Sequence, residues 1–396
     1  MNPTVAGLSI AQALLVSGNI LLVSVVALIG KELAPSAAAI TLPVALQFLG
    51  LIFATMPSAH LMGWLGRKFG FMLANCIGVL GATLAFTALY RQQFGLFCLG
   101  TFLLGMAIGV GHQYRFAAAE AAPPGQQSRA IGFVMAGGVL AAVIGPNLAR
   151  WSQDLFSQSA FLGAFAWLIV LNATALVLVA LLRLPRPTAE SLHGPKRGYG
   201  ELLRQPKLVA AITAGLVGYG VMVLIMTATP LSMDHSGHSF HATASVIQWH
   251  VLGMFVPSFF TGRLIQRFGA RRVINWGCLL LIACLLLNQL GVTYWIYWTA
   301  LLLLGVGWNF AFIGATALLT QTYRPAERAR VQGLNELLVF TGAGLGAMLA
   351  GYWNELLGWQ LMNLVLLPAV VLAMAVLWLS NRAEIREDAA AENASP

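Results

Sequence analysis

Two pairs of soft side chains stand at helical spacing in an apolar part of the chain. Met222 and Met226 are four apart in "GVMVLIMTATP", and His250 and Met254 are four apart in "QWHVLGM". Residues i and i+4 share one face of a helix, so each pair would stack its donors. Three thioethers and an imidazole carry no formal charge. Such a set favours Cu(I) over hard cations and, unlike thiolates, sheds no proton on binding. The competing reading is packing, because Met fills irregular gaps in cores and this chain has 13 of them. Between the pairs, "MDHSGHSFH" supplies Asp234, His235, His238 and His241. They read either as a cluster that captures a metal ion or as a polar loop capping two helices.

Other polar residues interrupt apolar runs. "GHQYRFAAAE" carries His112, Gln113, Arg115 and Glu120, and "QGLNELL" carries Glu336. Arg115 could bind an anion or a ligand carbonyl, or make a structural bond to backbone or to Glu120. Glu120 and Glu336 are the only acids set in long apolar stretches, which makes them the available proton carriers. Asn19, Gln47, Tyr219, Trp308 and Asn309 are candidates to line a cavity. Met56 and His60 read as an exit station or as helix packing. No nucleophile with its base, phosphate loop or metalloprotease motif occurs, so the chain is expected not to be an enzyme and to need no cofactor.

The elements that must position these residues follow from composition. Of 396 residues 59% are hydrophobic and 9% charged, with a mean hydropathy of +0.79; soluble domains are far more charged. About 20 apolar residues cross a bilayer core, and twelve such windows can be counted. With the N-terminus inside, Arg67, Lys68, Arg129, the linker set from Arg183 through Arg186 to Lys207, Arg263 to Arg272, Arg324 to Arg330, Arg382 and Arg386 all fall on the cytoplasmic side. Lys31, Arg91 and Arg150 fall outside. This is the positive-inside bias of an even-numbered bundle with both termini cytoplasmic. The net charge of +9 is therefore topological and does not point to nucleic acid. The first segment lacks a basic n-region and a cleavage site, so it reads as a retained helix. Cys76, Cys98, Cys278 and Cys284 have no metal-finger spacing and read as reduced packing thiols.

The chain repeats itself. "GWLGRKFG" (Gly63 to Gly70) is echoed by "GRLIQRFG" (Gly262 to Gly269), and "PGQQSRAIG" by "PAERARVQG", setting Pro124, Arg129 and Gly132 opposite Pro325, Arg330 and Gly333. A duplicated six-helix unit is the mark of a parallel-repeat transporter with its site near the midplane. The expected organisation is an N-terminal bundle over 1–182, a cytoplasmic linker over 183–207, a C-terminal bundle over 208–381 and a tail over 382–396.

On these loops and their spacing, the sequence resembles the major facilitator superfamily along nearly its whole length. That resemblance implies an all-α integral membrane fold of two pseudo-symmetric six-helix bundles, acting on a small substrate as a monomer in a bacterial-type inner membrane. "AGGVLAAVIGP", ending at Gly145 and Pro146, partly resembles an antiporter motif. The Met-x-x-x-Met and His-x-x-x-Met pairs, with "YRFAAAE" and "GWNFAFIGATALLT", resemble the CcoA-like branch, whose members import copper. The implied site is Met222, Met226, His250 and Met254. Riboflavin transporters belong to the same branch, and 11 Trp with 21 Phe could equally build a stacking pocket. The sequence departs from the loop signature where an acidic residue is usual, with Arg67 in one copy and Gln266 in the other. A positive charge there would face the N-terminal end of the eleventh helix, so an inner-gate ion pair between Arg67 and Glu336 is expected.

Overall fold

The computed structural model describes residues 2–36, 39–40, 42–152, 155–156, 161–185 and 194–393. Arg186 lies outside the described residues, as do the side chains of Lys31, Pro146 and Arg150. Among the described residues every regular element is a helix, the form in which an apolar segment satisfies its own backbone hydrogen bonds in lipid. The first half comprises α1 (Pro3–Leu33), α2 (Leu42–Leu65), α3 (Arg67–Tyr90), α4 (Phe94–Gly111), α5 (Tyr114–Ala121), α6 (Gln127–Ser152) and α7 (Leu162–Leu181). A short α8 (Tyr199–Leu203) lies in the linker. Then follow α9 (Pro206–His235), α10 (Phe240–Phe255), α11 (Ser258–Phe268), α12 (Ala270–Leu287), α13 (Tyr294–Leu319) and α14 (Arg328–Asn393).

Two crossings are broken helices. α4 hands over to α5 at His112 and Gln113, and α10 hands over to α11 at Val256 and Pro257. α14 is two crossings joined without a loop, because Gly358 alone leaves the helix at φ 72°. Counted as crossings among the described residues, the helices make twelve, six on each side of the linker. Two compact units result: residues 1–193 with 328–337, and residues 194–327 with 338–396. The first turns of α14 thus group with the first unit. That unit packs around Leu8, Phe71, Ala118, Val134 and Val179. Large apolar side chains such as Trp64, Leu181 and Leu290 lie on the outside, as lipid requires.

Glycine contacts define the repeat inside each unit. In the first, Gly50 faces the carbonyl of Phe102 and Gly105 faces that of Gln47; in the second, Gly253 faces the carbonyl of Leu302 and Gly305 that of His250. The α2–α4 crossing therefore recurs as the α10–α13 crossing, with Gln47 and His250 in corresponding positions. The turns agree: Gly66 at φ 88° starts α3 and Gly269 at φ 84° starts α12. Two residues after Gly66, Lys68 Nζ donates to the Ala180 carbonyl at 2.5 Å near the end of α7. Two residues after Gly269, Arg271 reaches Ser380, Asn381 and Glu384 at the end of the last crossing.

This register corrects the sequence echo. Gly269 corresponds to Gly66 and not to Gly70, which lies within α3. The pattern slides by four residues because one helical turn is about 3.6 residues, and only Gly66 takes the positive φ that the turn needs. The position opposite Gln266 is consequently Gly63, and Arg67 is the first residue of α3.

Candidate functional site

In the first unit the break between α4 and α5 presents Gln113 and Arg115 to the neighbouring helices. Both are fully buried. Arg67 donates through Nη1 to Gln113 Oε1 at 2.8 Å, through Nη2 to Glu120 Oε1 at 2.7 Å, and to Gln332. Gln113 Nε2 donates to Ser58 Oγ at 2.9 Å, and Arg328 pairs with Glu120 at 3.3 Å. Arg115 holds the break closed by donating to the His112 carbonyl at 2.7 Å, and its other arm meets Glu336 Oε1 at 2.6 Å. Asn335 donates to the same oxygen at 2.9 Å. Glu336 Oε2 is buried with no hydrogen-bond partner.

The ion pairs differ from the expected inner gate. Arg67 takes Glu120 and Glu336 takes Arg115. The reason is the register: as first residue of α3, Arg67 is within reach of α5, and a carboxylate there offsets its unfavourable place at a helix N-terminus. The alternative reading of Arg115 holds in its backbone bond, with Glu336 as acid partner where Glu120 was the expected one.

In the second unit α13 packs broadly against both α9 and α10, while α9 and α10 touch each other little. His250 and Met254 therefore face α13. His250 is fully buried, and its Nδ1 lies 2.8 Å from the Leu301 carbonyl. A carbonyl only accepts, so Nδ1 carries the hydrogen, and Nε2 is the acceptor of the neutral ring. Nε2 is buried without a partner. Below it, Asn309 bridges the broken crossing, donating to the Met254 carbonyl and to Ser258 Oγ, each at 2.6 Å, and accepting from Thr261 Oγ1 at 2.6 Å. Its amide is committed to the seam rather than free to line a cavity. Trp308, next to it, stacks on Phe312 at 5.0 Å and meets Tyr219 at 5.5 Å and Phe255 at 6.0 Å. Tyr219 also meets Phe312 at 5.2 Å and Phe340 at 5.5 Å. Trp308 Nε1 is buried and has no acceptor.

Met222 is buried on α9, and Met226 is half-buried one turn on. In the first unit Gly145 faces the Ser17 carbonyl, and in the second Gly346 faces that of Gly220. Met222 thus corresponds to Asn19, as His250 does to Gln47. In the first unit Gln47 Nε2 donates to Asn19 Oδ1 at 3.1 Å.

The remaining candidates are dispersed. Asp234, His235 and His241 are exposed, whereas His238 donates through Nε2 to the Val292 carbonyl at 2.7 Å and stands edge-on to Tyr297. Among the described residues no three His, Cys, Asp or Glu side chains group to hold a metal ion. His60 is exposed with Nδ1 2.9 Å from the Met56 carbonyl of its own helix, and Met56 packs on Gly333. The four thiols are free. Outside the membrane crossings, Arg197 grips Glu327 through Nε at 2.7 Å and Nη2 at 2.6 Å, and this hydrogen bonding raises the Arg197 pKa.

Sequence reading missed Ser58, Arg328, Gln332 and Asn335 in the first unit, and Phe255, Phe312 and Phe340 in the second. A signal existed for two groups. Arg328, Gln332, Asn335 and Glu336 share one face of a helix by their three- and four-residue spacing, and Phe312 follows Trp308 by four.

Comparison with known proteins places the chain in a lineage. The description "Major Facilitator Superfamily" matches residues 8–248 and 224–395. The chain is 39% identical over 372 residues to "Riboflavin transporter RfnT" of Brucella anthropi, covering 93% of this chain and 94% of that protein. It is 30% identical to the "Uncharacterized MFS-type transporter YdeG" of Bacillus subtilis, covering 88% and 86%. Its fold matches the crystal structure of the transporter FucP in the outward conformation with a TM-score of 0.77 at 17% identity, over 96% of this chain and 98% of that one. The chain belongs to the Major Facilitator Superfamily of membrane transporters.

Proposed function

We propose that this protein carries riboflavin, or a flat aromatic molecule like it, across a bacterial inner membrane by alternating access. The buried cluster of Tyr219, Trp308, Phe312 and Phe340 carries the aromatic-solute reading, since stacked rings bind planar solutes. The likeness to Riboflavin transporter RfnT supports a flavin as that solute. Glu336, with one oxygen unmet, is the candidate proton carrier, with Glu120 second. The working protein is a monomer with both termini cytoplasmic, bundles over 1–182 and 208–381, and a linker between them.

Uptake of labelled riboflavin into proteoliposomes tests this. Saturable uptake that unlabelled riboflavin competes away is expected. Protein correctly inserted but taking up none would overturn the reading.

A second reading, Cu(I) transport through Met222, Met226, His250 and Met254, is favoured by the unmet Nε2 of His250 and by Met222 holding the place of Asn19. Asp234 and His235 at the end of α9, His238 in the turn and His241 in the first turn of α10, where the sequence suggested one loop, would then capture the ion. The same vesicles, given copper under reducing conditions, decide. On this reading Met222→Leu, Met226→Leu and His250→Leu each abolish copper uptake, and copper uptake unaltered in all three removes it.

A further inference from the structure

The seam between α10 and α13 holds two unmet polar atoms of opposite kind. His250 Nε2 is an acceptor without a donor, and Trp308 Nε1–H is a donor without an acceptor. Both side chains are at least nine-tenths buried. Their neighbours are not so left: Asn309, Ser258 and Thr261 satisfy one another within the same seam. Buried polar groups are nearly always paired, so two exceptions on one seam call for a partner that comes and goes. Leu301, whose carbonyl fixes His250, precedes Trp308 by two turns of α13, about 10 Å along its axis. The wall around Trp308 is aromatic, with Phe255, Tyr219 and Phe312 in ring contact with it.

The position of His250 is also marked by the repeat. Gln47, its counterpart in the first unit, spends its Nε2 on Asn19 and leaves its own acceptor Oε1 buried and unmet. Each unit therefore carries an unused acceptor at the same place in its fold.

We propose that His250 and Trp308 are the hydrogen-bonding specificity residues of the transport site, His250 Nε2 accepting from a ring N–H and Trp308 Nε1–H donating to a carbonyl or ring nitrogen of one planar heteroaromatic ligand. The ligand's rings lie among the aromatic side chains. This rests on the aromatic-solute reading and goes further, because it requires a ring N–H on the ligand. Aromatic molecules without one are excluded.

The test pairs variants with a ligand analogue, in proteoliposomes, using riboflavin and riboflavin methylated at its imide nitrogen. The wild type should take up the methylated analogue with a half-saturation concentration about tenfold higher than riboflavin, as loss of one buried hydrogen bond implies. His250→Leu should raise the riboflavin value about tenfold and lose the discrimination between the two compounds. His250→Gln, which keeps an acceptor, should restore discrimination. Trp308→Phe, which keeps a ring but loses the N–H, should raise both values about equally and preserve it. Wild type that takes up no riboflavin overturns the aromatic reading and this inference together. Riboflavin uptake with discrimination unchanged in His250→Leu, or with affinity unchanged in Trp308→Phe, overturns this inference alone.

Discussion

Glu336 has one carboxylate oxygen gripped by Arg115 and Asn335 and the other facing no donor, with its side chain fully buried. Removing one member of such a pair costs about 3–5 kcal/mol, whereas replacing both by apolar groups is often neutral. Arg115→Leu should therefore lower the unfolding temperature of detergent-solubilised protein sharply, and Arg115→Leu with Glu336→Leu should recover much of it. A double variant less stable than the single would show that the pair is not the cause. For Arg67, transport lost in Arg67→Glu should return in part with Glu120→Arg and not with Glu336→Arg, in an uptake assay with matched protein levels. The identity of these charged residues was legible in the sequence, because any ionisable group in an apolar helix stands out. Their pairing was not, since it depends on a one-turn register and on the break at Gln113, neither of which hydropathy reports.

Helix breaks and close crossings make the elements specific. Proline at 257 has no N–H to give the Gly253 carbonyl, and one residue on in the same break Asn309 donates to the Met254 carbonyl. Asn309→Leu takes away the donor to that carbonyl and to Ser258 Oγ, whereas Thr261 keeps the Pro257 carbonyl, a cost of about 1–3 kcal/mol for each group left unmet. A measurable fall in thermal stability is expected, and an unchanged melting curve would argue against the bridge. At Gly305 a methyl group would meet the Met254 nitrogen at 2.9 Å and the Gly253 carbonyl carbon at 3.0 Å. Those are backbone atoms that cannot step aside, so Gly305→Ala should reduce the yield of folded protein while Gly198→Ala, with open space around it, should not. The twelve crossings were readable because each needs a long apolar run. The crossing glycines were not distinguishable among 41 glycines until their contacts were seen.

At the scale of the molecule, the duplication and the distribution of Lys and Arg were plain in the sequence, but the true alignment of the halves required the turns at Gly66 and Gly269. Topology can be tested with the native thiols left in place, since three of the four are buried and Cys76 lies within the apolar helix α3. Wild-type protein in intact cells should thus resist a membrane-impermeant maleimide. His235→Cys should label from outside, and Lys196→Cys should label only after the membrane is opened. Labelling in the reverse order would invert the assignment of both termini.

The joint at Gly358 makes the last crossing a rotor with a single-residue axle. An extra residue at the joint itself has somewhere to go, as the beginning of a loop. An extra residue just after Trp359 has not, and would turn everything beyond it by about 100°. Leu361, Val365 and Leu372, now facing outward, would take the inward places of Met362, Leu366 and Ala373, while Val370 and Leu377 would move to the outward places of Val371 and Trp378. Insertions at the joint should therefore be tolerated and single insertions in the first turns beyond it should not, a boundary that a short scan of expression levels would read directly.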